Sequence, residues 1–174
     1  MQSANRFMRL ASSRAGFTPL RATVYGAGVV GGIDFVYATL SLVLKGVPWY
    51  RAWQGVASAV LGRDAFAGGY SAVLLGIALH FTVATCIVGV YVIASRWFSI
   101  LRRKTLLCGL VYGVIAFFVM NLVVVPLTRI GPQPLVWSAF NIGGLIVHIF
   151  LLGPAAAHFA GRAGSQGRSN DLDA

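Results

Sequence analysis

Four long runs with almost no ionised residues limit the fold of this chain more than any other feature. They cover about residues 22–44, 69–95, 105–128 and 134–160, and the only ionised group among them is Asp34. A helix rises about 1.5 Å per residue, so crossing a hydrocarbon core about 30 Å thick takes roughly 20 predominantly apolar residues. Each run is that long. The expected fold is therefore all-α, a polytopic membrane four-helix bundle.

Composition excludes the other broad classes. The chain is 57% hydrophobic and 10% charged, whereas a soluble domain carries about 25% charged residues to coat its surface. Disorder is excluded too, because open chains are poor in hydrophobic residues. A net charge of +10 with no Glu resembles a nucleic-acid footprint, but the basic residues lie in short clusters between uncharged runs. The expected partner is the lipid bilayer, with other membrane subunits or a second copy as further candidates, and no nucleic acid.

The clusters also set a direction. Arg6, Arg9, Arg14, Arg21, Arg96, Arg102, Arg103, Lys104, Arg162 and Arg168 fall on one side of the four spans, against Lys45, Arg51, Arg63 and Arg129 on the other. Cytoplasmic loops carry the Lys/Arg excess, so both termini are expected in the cytoplasm of a bacterial inner membrane. The first run is too long for a signal-peptide core of 7–15 residues and holds an Asp, so it reads as a retained span. Residues 1–21 read as a basic cytoplasmic tail, 22–160 as one transmembrane domain and 161–174 as a second tail, with both tails expected to be disordered. Trp49, Trp53, Trp97 and Trp137 fall at span ends or in the outer loop, as an interfacial aromatic belt requires.

The loop between the first two spans has its own pattern. Over about residues 48–62, Trp49, Trp53, Val56, Val60 and Leu61 recur at near-helical spacing, while Arg51, Gln54, Ser58 and Arg63 take the other side. This predicts an amphipathic helix lying in the outer interface, with Trp49, Arg51, Trp53 and Gln54 as its characteristic residues. The other arrangement is a lid folded back over the bundle.

Polar residues inside apolar spans are costly, at about 2.5–3.5 kcal/mol for an ionisable group at the bilayer centre, so they face the bundle interior. Asp34, His80 and His148 come near the middle of spans one, two and four, and Asn121 and Asn141 lie in the outer halves of spans three and four. Asp34, Tyr37 and Ser41 share one face, as do Asn141, Gly144 and His148. The expectation is a buried polar layer of Asp34, Tyr37, His80, Asn121, Asn141 and His148. Three roles fit it: a structural network fixing helix register, a proton or ion path built on a carboxyl and imidazoles, or ligation of haem or a metal by His80 and His148.

Enzymatic motifs are missing. The chain has no Gly-x-Ser-x-Gly elbow, phosphate loop or Cys-x-x-Cys, and Cys86 and Cys108 are expected at different depths, unsuited to a disulfide. No catalytic residue, metal or cofactor is expected. The Gly28/Gly32 and Gly109/Gly113 pairs have the spacing of close helix crossings, within one chain or between chains. Gly153-Pro154 is expected to kink or stop span four, and Pro126 to free the Leu122 carbonyl, with Asn121 placed to re-satisfy the backbone.

Several segments carry a resemblance. Residues 31–38 (GGIDFVYA), 51–58 (RAWQGVAS), 79–81 (LHF) and 120–126 (MNLVVVP) resemble a family of small bacterial inner-membrane proteins, broadly YagU-like, with an Asp in span one and a His in span two. That resemblance implies a four-helix inner-membrane protein and no particular activity. The functional expectation is a non-enzymatic protein, either a small transport-related module or an accessory subunit of a membrane complex.

Overall fold

A computed structural model describes residues 17–163; the expectations placed on 1–16 and 164–174 lie outside the described residues. Helix α1 covers Pro19–Val43, α2 Tyr50–Leu61, α3 Gly69–Trp97, α4 Thr105–Leu127 and α5 Ala139–Ala163. A single turn, Ile100–Arg103, joins α3 to α4, and the described residues contain no strand. In their most apolar windows α1, α3, α4 and α5 are only 22%, 22%, 17% and 28% buried in protein. Most of that apolar surface points outward, which is stable only where lipid covers it. The chain is a multi-pass membrane protein with an all-α four-helix bundle.

Capping chemistry sets the helix starts. Thr18 Oγ1 accepts the Arg21 N–H at 3.2 Å and Pro19 occupies the first turn, where its missing N–H leaves nothing unsatisfied. Arg21 therefore belongs to the first span and not to the tail. The fourth span begins at Ala139 rather than near Pro134. Ser138 Oγ accepts the Asn141 N–H at 3.3 Å, while residues 131–138 are non-helical because Pro132 and Pro134 bias the residues before them towards extended backbone.

Pro154 does not stop span four, which continues to Ala163. Five-residue π-helical stretches, Met120–Val124 and His148–Leu152, precede Pro126 and Pro154. In an α-helix a proline ring clashes with the carbonyl four residues back; the wider turn of a π-bulge moves that carbonyl aside. Asn121 Nδ2 donates to the Phe117 carbonyl at 2.9 Å, so it re-satisfies a carbonyl one turn before the bulge and not that of Leu122.

Small residues decide how the spans pack. Helix α5 touches α1, α3 and α4, and its Ala156, Ala157 and Ala160 join Val30, Val88, Tyr91 and Val92 in the main core. At the α4–α5 crossing a Cβ on Gly113 would collide with the His148 carbonyl, and one on Gly153 with the Gly109 carbonyl. The Gly109/Gly113 pair is thus an internal crossing. The Gly28/Gly32 pair is not: neither has an atom within 4 Å of a built Cβ, and it is Gly31 that meets Phe81 at 2.8 Å.

Candidate functional site

Gly31 places α1 against α3, and that contact creates the site. His80 on α3 reaches across so that its Nε2 lies 2.9 Å from the Gly31 carbonyl oxygen. A carbonyl only accepts, so Nε2 carries a proton and Nδ1 is the ring nitrogen left to turn towards α1. There it meets Asp34 Oδ2 at 3.9 Å, an ion-pair separation too long for a hydrogen bond. Asp34 lies nine residues before the end of α1 and His80 eleven after the start of α3, about 14 and 16 Å along their axes. The two groups therefore share a depth, well inside the spans.

Helix α2 supplies the rest of the site. One side of it packs on α3, burying Trp53 (0% exposed) and Gln54 (3%), while Trp49 and Val60 stay exposed. Gly76 permits this, since any Cβ there would collide with the Trp53 carbonyl. The Trp53 indole stacks on Phe35 at 4.1 Å and meets the His80 ring edge-on at 5.2 Å. Phe81 contacts the same imidazole at 5.3 Å. Trp49 is exposed, as are Trp97 and Trp137 at other span ends, whereas Trp53 is enclosed by protein.

Two arginines clamp α2 in place. Arg51 Nη1 donates to Gln54 Oε1 at 3.1 Å and to the Phe66 carbonyl at 3.2 Å. In the loop between α4 and α5, the Arg129 N–H donates to the Ala59 carbonyl at 3.0 Å and its guanidinium to the Val60 carbonyl at 3.3 Å. A cation at the last carbonyls of a helix also complements its dipole. These bonds hold α2 against α3 and against the loop between α4 and α5.

The single polar layer expected from six residues does not form. Asp34 and His80 come together, but Tyr37 donates to the Phe140 carbonyl at 2.6 Å, tying α1 to the start of α5. Asn141 Nδ2 donates to the Val136 carbonyl at 2.7 Å, and His148 Nδ1 lies 2.8 Å from the Gly144 carbonyl of its own helix. A carbonyl about one turn away is the nearest acceptor for a polar group in apolar surroundings, so Asn141 and His148 bond locally, and only Tyr37 of these three bonds across helices.

Two features of the site were not anticipated. The Trp53 indole N–H is buried without a hydrogen-bond partner, and the Asp34 carboxylate accepts no hydrogen bond from the described residues. A hint of the first was present in the sequence: Gly76, one turn before His80, marks a face where another helix can come close. With Nε2–H directed at the Gly31 carbonyl, His80 Nδ1 and the Asp34 carboxylate face each other across the α1–α3 contact. No cluster of three metal-ligating side chains occurs among the described residues. Comparison with protein-family models, with curated proteins and with solved structures finds no match to this chain.

Proposed function

We propose that this is a non-enzymatic protein of the bacterial inner membrane, with both termini cytoplasmic, acting as a small transport-related module or as an accessory subunit of a membrane complex. The single observation behind this reading is the Asp34–His80 pair, well inside the spans, separated by 3.9 Å and covered by Trp53. Ionisable groups are costly inside a span, and the exchange of a proton is the chemistry that a carboxyl and an imidazole have to offer there. The proposed role is uptake and release of a proton beside helix α2. The sidedness rests on the uneven Lys/Arg distribution. It gains weight from the side with fewer cations, where Lys45 lies over the Phe140 ring and Arg51 and Arg129 hold α2.

The full chain reconstituted in liposomes with an entrapped pH-sensitive dye tests the role. The wild type should relax an imposed pH gradient faster than empty vesicles, and Asp34→Asn and His80→Gln should each abolish the difference while keeping the helical circular-dichroism signal. If the protein is instead a subunit, it should leave native membranes with stoichiometric partners and relax no gradient alone. A protein that neither relaxes the gradient nor retains a partner refutes both forms.

A further inference from the structure

A cleft of about 270 Å³ opens between α2 and the first turn of α3, lined by Tyr50, Gln54, Gly69, Tyr70 and Val73. It is separate from the Asp34–His80 pair, and its chemistry is one-sided. Tyr50 and Tyr70 bring phenolic hydroxyls that bond to no described residue, and no carboxylate is among the lining groups. Arg51 does not line the cleft, but it bonds to the lining Gln54, and its guanidinium lies 5.8 Å from the rings of both Tyr50 and Phe66. It is fixed through Nη1 to the buried Gln54 and to the Phe66 carbonyl, so its Nε and Nη2 donors are held in place and uncommitted. Such a set, a fixed fork of donors beside two hydroxyls, suits a phosphate oxyanion.

The surroundings say where the phosphate comes from. Val73 forms an apolar wall, and Tyr70 (76% exposed), Leu74 and Phe66 continue an exposed apolar surface around the opening. The lining residues from α3, Gly69, Tyr70 and Val73, lie within about 6 Å of its start along the axis, at one end of an apolar span. We propose that this cleft binds the phosphate headgroup of an anionic phospholipid, with Arg51, Tyr50 and Tyr70 as its donors and the acyl chains lying along Val73 and Leu74.

Native mass spectrometry of the detergent-purified full chain tests this, using phosphatidylglycerol, phosphatidylcholine and inorganic phosphate as probes. Arg51→Met removes the cation. Tyr70→Phe removes one hydroxyl at an exposed position and leaves the packing intact, so it keeps the test valid should Arg51→Met loosen α2. Anionic lipid held by Arg96, Arg103 and Lys104 at the opposite end of the bundle is common to all variants and cancels. The wild type should hold one more phosphatidylglycerol than either variant, with affinity lowered about tenfold in Arg51→Met and severalfold in Tyr70→Phe. Unchanged affinity in both variants, or equal retention of phosphatidylcholine, overturns the proposal. Displacement of the lipid by inorganic phosphate at equal concentration overturns the lipid assignment in favour of a soluble anion.

Discussion

Adding one methyl group at Gly113 should loosen the bundle, whereas adding one at Gly32 should not. A Cβ at Gly113 would stand 2.6 Å from the His148 carbonyl carbon and 2.8 Å from the Ile149 Cα, where ordinary contact begins at about 3.4 Å. The opposing atoms are backbone and cannot rotate away, so α4 and α5 must part by roughly 1 Å, a gap that forfeits about a quarter to a half of each affected dispersion contact. Overpacking of this kind costs about 1–3 kcal/mol, and a backbone-on-backbone crossing belongs at the upper end. Replacing Gly by Ala inside a helix returns about 1 kcal/mol. The net loss for Gly113→Ala is then about 2 kcal/mol, roughly thirtyfold in the unfolding equilibrium.

Gly32 has no atom within 4 Å of a built Cβ, so Gly32→Ala keeps only the propensity gain and should be neutral or stabilising by up to about 1 kcal/mol. Unfolding of both variants by SDS in mixed micelles, followed by tryptophan fluorescence, measures the difference. Equal responses would refute the assignment of Gly109/Gly113 as the packed pair and Gly28/Gly32 as the lipid-facing one. A loss in Gly32→Ala that shrinks on dilution would show that this face meets a second copy.

Three further outcomes are expected. Gly76→Val should lift α2 from α3, because the new side chain would occupy the space of the Trp53 carbonyl; with Trp49, Trp97 and Trp137 replaced by Phe, the emission of Trp53 should change as its surroundings do, and an unchanged spectrum would contradict the docked position. Arg129→Ala should cost about 0.5–1.5 kcal/mol by removing the guanidinium bond to Val60, seen as faster amide exchange in the last turn of α2 with α1 and α3 unaffected; uniform exchange would deny Arg129 that local role. In intact cells a Cys at Ser99 should label only after the membrane is permeabilised, and labelling from the periplasmic side would reverse the proposed topology.

How much of this was legible in the sequence depends on how local the deciding physics is. Length and the near-absence of charge are enough to identify four spans, since both follow from the bilayer alone. Pattern also picked out α2 as amphipathic, but periodicity cannot say whether an apolar face meets lipid or protein. That was decided by Gly76, twenty-three residues beyond Trp53, whose missing side chain opens a seat for the Trp53 backbone. The start of α5 was misplaced because the apolar run continues through Pro134, while the helix starts where Ser138 can cap it. The polar layer was misread for a different reason: shared depth makes contact between Tyr37, Asn121, Asn141 and His148 feasible, yet each finds a closer backbone carbonyl. Asp34, whose carboxylate cannot donate when ionised and so gains nothing from a carbonyl, is left with His80 across the helix interface as its one charge partner among the described residues.

Helix α2 and the Asp34–His80 pair are consequently one thermodynamic unit. Trp53 covers Phe35 and His80, so lifting α2 would strip the aromatic wall from the imidazole and change the polarity around the carboxylate. Docking of α2 and the α1–α3 contact at His80 therefore support each other, and by linkage the two effects are equal in free energy. Arg51 and Arg129 add to the docked side of that balance from either end of α2, with hydrogen bonds to the Phe66 and Val60 carbonyls. Any ligand that engages Arg51 must act on the same balance, because the guanidinium that would receive it also holds α2, whose Trp53 lies against the half-buried His80.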